Sequence, residues 1–324
     1  MTSLPMPVFA SPHRFSRARV VRCVTALVAA SLLAACGGGT RQIEPFKAER
    51  YFAMGDELSV LTSDGRRHGI NGLNSSNAVD CSSNQIWVQA LASSFSLVFA
   101  ECNPNAATEL NARILAAPGA DAAALTAQID AQVAAGGFRA NDLTSVLIGM
   151  HDVLALYAQF PARSEADLTN ELGARGAAIA AQVNRLVGLG AKVVVSTVPD
   201  LGTTPFALAE KAAHSDVDRS ALLSRLTAAL NARLRTTILN DGRFIGLVLA
   251  DEMTEAMVRS PLSFGLTDIS QAACAVALPD CTSATLVAGA NASTWLWADR
   301  LRLAPTAQTR LGLLAQSRAL GNPF

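Results

Sequence analysis

With 324 residues, half of them hydrophobic, the chain is long enough for one large or two small domains and can bury a substantial core. Its 26 basic side chains balance its 26 acidic ones, so summed charge gives no electrostatic case for nucleic acid or for an anionic surface as partner.

The chain opens with Arg14, Arg17, Arg19 and Arg22 ahead of an apolar run from Val24 to Ala35 that is too short to span a bilayer, which predicts a signal peptide over residues 1–35. The run ends Leu33-Ala34-Ala35-Cys36. Small residues before a cysteine resemble a bacterial lipobox, which implies cleavage before Cys36 and lipid attachment to its thiol and new amino terminus. Acyl chains bury at ~0.8 kcal/mol per methylene, so the implied partner is a membrane, gripped through Cys36. Residues 36–49 then form a lipidated tether, with Gly37 to Thr40 as its flexible part, and residues 50–324 form one domain. Gly37, in place of the aspartate that such lipoproteins use for inner-membrane retention, implies the outer membrane and a domain facing the periplasm.

Export fits the remaining cysteines. Cys81, Cys102, Cys274 and Cys281 stay in the mature domain and allow three pairings. Local loop closure in an oxidising compartment favours Cys81 with Cys102 and Cys274 with Cys281, each contributing roughly 3 kcal/mol in the chain-entropy model. No CxxC occurs and no histidine lies at ligand spacing, so neither a metal nor a cofactor is expected.

In the domain, Tyr51-Phe52-Ala53-Met54 is a short apolar run that stops at Gly55-Asp56, the pattern of a buried strand carrying polar groups into a crevice. Residues 62–84, rich in Ser, Asn, Asp and Gly, read as a loop, and Ile86 to Phe95 as a helix with Trp87, Leu91 and Phe95 on one face. Leu97 to Ala100 is the expected second strand, followed by irregular or partly helical chain over 103–121. Leu125, Ile129 and Val133 recur at helical spacing until Gly136-Gly137. A third strand, Leu143 to Ile148, delivers Gly149-Met150-His151-Asp152 to the same edge as the first. Ser164 and Asp167 open a long helix with Leu168, Leu172, Ile179, Val183 and Leu186 on its apolar face, and Gly190 stops it. Lys192 to Val198 is a β-branched fourth strand closed by Pro199; a helix through Leu222, Leu226, Leu230, Leu234 and Ile238 leads to a fifth, Phe244 to Leu249. Residues 260–298 make a longer excursion, and a helix from about Pro305 to Ser317 closes the chain. Such alternation predicts an α/β class: a three-layer α/β/α sandwich on a doubly wound, five-stranded parallel sheet, flavodoxin-like, with no second domain and no internal repeat.

Gly55-Asp56-Glu57-Leu58-Ser59, Val146-Leu147-Ile148-Gly149, Val198-Pro199-Asp200-Leu201-Gly202 with Pro205, and Trp297-Ala298-Asp299 with Pro305 resemble, in order and spacing, the blocks of the GDSL/SGNH hydrolases, lipases and acylhydrolases. The resemblance covers nearly all of residues 50–318. It implies an ester-cleaving serine in the first block, oxyanion donors from a glycine amide and an asparagine side chain, and a histidine base three residues after an aspartate. Here the serine position is Glu57, the asparagine position is His151, and the position three after Asp299 is Arg302. Cys102-Asn103-Pro104-Asn105 stands where the second block's glycine is sought. Gly55, Asp56 and Asp152 are expected to line the site through turns and strand-end hydrogen bonds.

No histidine follows His214, so a base cannot lie near Asp299 in sequence; His68 and His214 are expected to be solvated. Ser59, two residues past Glu57, should point away from the nucleophile's place. Glu57, Arg302 and Asp299 are instead expected to form a salt-bridged plug, since arginine stays protonated and cannot act as a base. The sequence therefore points to a domain whose hydrolase machinery is lost, with a binding or scaffolding role. The alternative is a working ester hydrolase on a rearranged site, with Glu57 prompting water and His151 steadying an oxyanion. Acyl chains or acetylated glycans are the ligand classes that the resemblance implies.

Overall fold

The computed structural model describes residues 45–321 and 324; the expected signal peptide, Cys36 and most of the tether lie outside the described residues. Five strands form one parallel sheet: β1 (Arg50–Gly55), β4 (Ala112–Ile114), β5 (Asp142–Leu147), β6 (Lys192–Ser196) and β7 (Ile245–Val248), in spatial order β4-β1-β5-β6-β7. Counting only these strands along the chain, the order is 2-1-3-4-5, the doubly wound flavodoxin-like arrangement. Between them the chain forms β2 (Gly72–Leu73), β3 (Val79–Asp80), α1 (Trp87–Ser93), α2 (Ala122–Ala134), α3 (Met150–Tyr157), α4 (Glu165–Gly188), α5 (Pro205–Ala213) and α6 (Arg219–Thr237). After β7 come α7 (Ala250–Arg259), β8 (Asp268–Ala272), β9 (Trp295–Trp297) and α8 (Pro305–Gly321).

Period-two alternation divides the strand side chains between two cores. Tyr51, Ala53 and Val194 face Trp87 and Leu91 of α1, Met257 of α7 and Leu311 of α8. Phe52, Met54, Val193 and Val195 face Leu125 of α2, Val153 of α3, Leu172 of α4 and Leu226 of α6. Both faces are covered, which is why the strands read as continuous apolar runs. The helices begin where short polar side chains take up free amides: the Ser164 hydroxyl accepts from the Asp167 amide at 3.1 Å, and Asp121 and Asp218 cap α2 and α6 in the same way.

The pairings Cys81–Cys102 and Cys274–Cys281 both form. The loop expected over 62–84 holds the small hairpin β2–β3 around fully buried Arg67, whose guanidinium donates to the carbonyls of Asp80, Ser83 and Asn84. Asn71 ties this segment to the excursion after α7 by donating to the carbonyls of Pro279 (2.7 Å) and Cys281 (2.8 Å).

The second sheet strand differs from expectation. Leu97 to Ala100 makes only isolated bridges, through Phe99, while Ala112–Ile114, inside the stretch expected to be irregular, pairs with Tyr51, Phe52 and Ala53. Cys102, held by Cys81, turns the chain at residues 99–102, and the Asn111 side chain takes the Val98 amide, so residues 97–100 stop short of the sheet. The helices α3, α5 and α7, of 8, 9 and 10 residues, form where no helix is expected from the sequence.

Candidate functional site

The site forms where the strand order reverses, between the carboxyl ends of β1 and β5, the place where open α/β sheets bind ligands. Gly55 has φ +126°, and a Cβ there would lie 1.9 Å from the Leu147 carbonyl oxygen, so only glycine lets β1 leave the sheet beside β5. Gln128 of α2 fixes this turn by bonding both the amide (2.8 Å) and the carbonyl (2.9 Å) of Gly55. Asp56 then caps one 3₁₀ turn, Glu57–Ser59, by accepting from the Leu58 amide at 3.0 Å. The first residue of that turn is Glu57, only 2% exposed.

Three groups converge on its carboxylate. The Gly119 amide donates to Oε2 at 3.0 Å, and His151 Nε2 stands 2.8 Å from the same oxygen. Arg302 donates through Nε to Oε1 at 3.1 Å, and its Nη2 bonds that oxygen as well. Asp299 steadies Arg302 from behind, accepting from Nη1 at 2.8 Å and, through its other oxygen, from the Arg302 amide at 2.6 Å. The result is a continuous chain of carboxylate, guanidinium and carboxylate, ending on an amide and an imidazole.

Burial favours the neutral form of Glu57, but the bonds from His151, Arg302 and Gly119 outweigh it and hold the carboxyl well below the usual carboxylate range. The Glu57 bond raises the His151 imidazole against partial burial, and although burial opposes the charge on Arg302, Asp299 and Glu57 push its guanidinium above the ordinary value. Asp56 behaves oppositely: complete burial, with the charge of Glu57 beside it, raises its carboxyl to about 7. Chemically, the cluster holds a firmly ionised acid, a cation that cannot accept a proton, and an imidazole biased toward its protonated form.

These shifts fix a pH dependence. The His151 contact stabilises fully below the ordinary imidazole value of 6.5 and is lost as pH rises through its higher folded-state value. The cost of ionising buried Asp56 grows between its ordinary 3.8 and about 7 and acts in the same direction. Glu57, lowered from 4.5, contributes fully above that value and loses its effect only as pH falls toward its folded-state value. The urea midpoint should therefore fall between pH 6 and 8, with a shallower fall in His151→Gln; parallel curves for the two proteins would remove His151 from the account.

Of the residues singled out in the sequence, Glu57, His151, Arg302 and Asp299 meet as described, and Gly55 and Asp56 shape the turn beneath them. Asp152 borders the cleft beside the plug without touching Glu57, and its carboxylate accepts from the Ala122 amide at 2.8 Å, tying α3 to the start of α2. Ser59 is fully buried, its hydroxyl without a hydrogen-bond partner among the described residues. His214 is exposed at the end of α5, as expected, but His68 is half-buried and feels the charges of Glu57, Arg302 and Asp299, so its expected solvation is corrected. The search for a second-block glycine around Cys102 to Asn105 is corrected as well. Those residues follow a segment that is not a sheet strand, and the backbone amide that meets Glu57 comes from Gly119, at φ +78°, in the loop after β4. Pro118-Gly119 ahead of the Asp121 cap is a turn signal in the sequence, but only the pairing of β4 with β1 brings that turn to Glu57.

Beside the plug lies a cleft of about 530 Å³, bordered by Gly119, Asp121, His151, Leu154, Gln159 and Arg175 among others.

No family model matches the chain, and no curated protein matches it. Among solved structures it is similar to an acetylxylan esterase from Geobacillus stearothermophilus, with 15% identity over 86% of this chain and 96% of that one and a TM-score of 0.41. It is also similar to a member of the lipolytic G-D-S-L family from Veillonella parvula, with 8% identity over 82% and 95% of the two chains and a TM-score of 0.40. The parallel sheet of order 2-1-3-4-5 with helices on both faces is the doubly wound, flavodoxin-like arrangement, and the positions that resemble the first, third and last GDSL/SGNH blocks are gathered at its switch point.

Proposed function

We propose that this chain is a cell-envelope lipoprotein, held at the outer membrane through a lipid on Cys36 and facing the periplasm, whose domain binds or scaffolds without turning over esters. One observation supports the loss of catalysis: the Glu57 carboxylate takes the contacts that the family resemblance assigns to the attacking hydroxyl and to the oxyanion of a reacting ester. Its Oε2 lies against the Gly119 amide and His151, at the two oxyanion-donor positions, and its Oε1 lies against Arg302, at the base position. The side chain is thus an internal substitute for the negative charge that an acyl-transfer intermediate would develop, and it leaves a substrate carbonyl no free donor. Arg302 accepts no proton at neutral pH, and an ester attacked by a carboxylate would yield an anhydride at little energetic gain. The mixed cleft beside Gly119 and His151 is the surface left for a ligand, with acyl chains or acetylated glycans as the classes to try first.

The test is hydrolysis of short-chain aryl esters by the purified protein. The expected rate equals that of Glu57→Gln and of buffer. Turnover that disappears in Glu57→Gln would establish a carboxylate-driven hydrolase instead, and turnover that disappears in Ser59→Ala would move the nucleophile to Ser59.

A further inference from the structure

The described chain enters at the amino-terminal edge of the sheet, opposite the plug. Phe46 packs against Phe95 and Phe324 with ring centroids 5.7 and 5.6 Å away, and Phe324 in turn lies against Gly246 of β7. The same corner exposes apolar side chains: Leu239, ahead of β7, is 48% exposed, and Leu320, in the last turn of α8, is 54% exposed. Leu239 and Arg318 border a groove of about 630 Å³ floored by Ile238, Ile245 and Leu247.

Charge balances over the whole chain but not here. Arg139 and Lys192 stand where the chain enters β5 and β6, and Arg318 lies near the end of α8. Among the acids of this edge Asp142 pairs with Arg50 at 2.6 Å and Asp241 with Arg243 at 2.7 Å, while exposed Glu49 accepts from the Asn141 side chain, so cations outnumber carboxylates here. The edge therefore presents half-exposed leucines beside an excess of cations over carboxylates, the combination that favours an interface of acyl chains and anionic headgroups.

We propose that this amino-terminal edge rests on an anionic lipid surface, with Leu239 and Leu320 at the interface and the Glu57 plug facing away from the membrane. The proposal rests on reading Cys36 as the lipid-bearing residue. Nine residue steps separate Cys36 from Pro45 and reach at most about 30 Å even when fully extended, less than the width of a domain of this size. A bilayer gripped at Cys36 is thus close to the corner where Phe46 enters and far from the edge that carries His151 and Arg302.

The experiment uses the full-length protein, purified from membranes and reconstituted into vesicles of phosphatidylethanolamine and phosphatidylglycerol that contain a headgroup spin-labelled lipid. A fluorophore is placed at Leu239→Cys, at Leu320→Cys or, on the cleft side, at Ala155→Cys, with both disulfides intact. Quenching at least threefold stronger at 239 and 320 than at 155 is expected. Equal quenching at all three positions, or stronger quenching at 155, in a protein whose mass shows acylated Cys36 overturns the orientation alone. A mass showing no acyl group on Cys36 overturns the lipoprotein reading and this proposal with it.

Discussion

Replacing Glu57 by alanine should lower the free energy of unfolding by about 3–5 kcal/mol, the cost of leaving a buried cation without its counter-charge. The magnitude follows from burial: Glu57 is 2% exposed and anchors Arg302, which is itself largely shielded, together with His151 and the Gly119 amide. Alanine removes the acceptor and leaves these donors facing a cavity that only water could satisfy. Urea unfolding at pH 6 would read the loss, and thermal unfolding should show a fall in Tm of roughly 10 °C. The double variant Glu57→Met with Arg302→Met removes both charges while keeping much of the volume and should recover most of the loss, because the desolvation cost of the pair goes with it. A single Glu57→Ala that stays within about 1 kcal/mol of the parent would show that the ion pair does not hold the crevice together.

The second large effect is a gain. Glu57→Ser with His151→Asn and Arg302→His should raise aryl-ester turnover over the parent by a factor on the order of 10²–10⁴, the usual worth of a placed general base and of oxyanion donors. Two parts of the machinery are already in position. The Gly119 amide points at the space held by Glu57 Oε2, and Asp299 already holds residue 302 from behind, bonding both its backbone amide and its side chain. Serine would supply the hydroxyl, the new imidazole would take its proton, and the new asparagine would join the glycine amide as a donor. The control is Glu57→Ala in the same His151→Asn and Arg302→His background, which has no nucleophile and should stay silent. A triple variant that folds, by its near-ultraviolet dichroism and its Tm, yet hydrolyses nothing would show that more than these three side chains separates this site from an esterase.

Much of this was legible before any coordinates. The buried strands announced themselves because a parallel sheet covered on both faces needs runs such as Val193-Val194-Val195, and the long helices because α4 and α6 repeat their apolar stripe over several turns. Glu57, His151, Arg302 and Asp299 could be named because each sits at a fixed distance from a Gly-Asp turn, a strand end or a Trp-Ala-Asp block. What escaped detection depends on contacts remote in sequence. Gly119 matters because β4 brings its loop to β1, and β4 itself is three residues long with an outward Arg113, too short to show alternation. His68 and Gln128 likewise acquire their surroundings only when the 62–84 segment and α2 fold back over residues 55–57. No local pattern encodes such meetings.

The Asn71 carboxamide, gripping the carbonyls of Pro279 and Cys281, makes a mechanical link between two parts of the chain more than 200 residues apart in sequence. His68 stands three residues from that link, half-buried and within the field of Glu57, Arg302 and Asp299. Cys281 is thus both one end of the Cys274–Cys281 ring and a carbonyl partner of Asn71, so a single carboxamide joins that ring to the segment that carries His68.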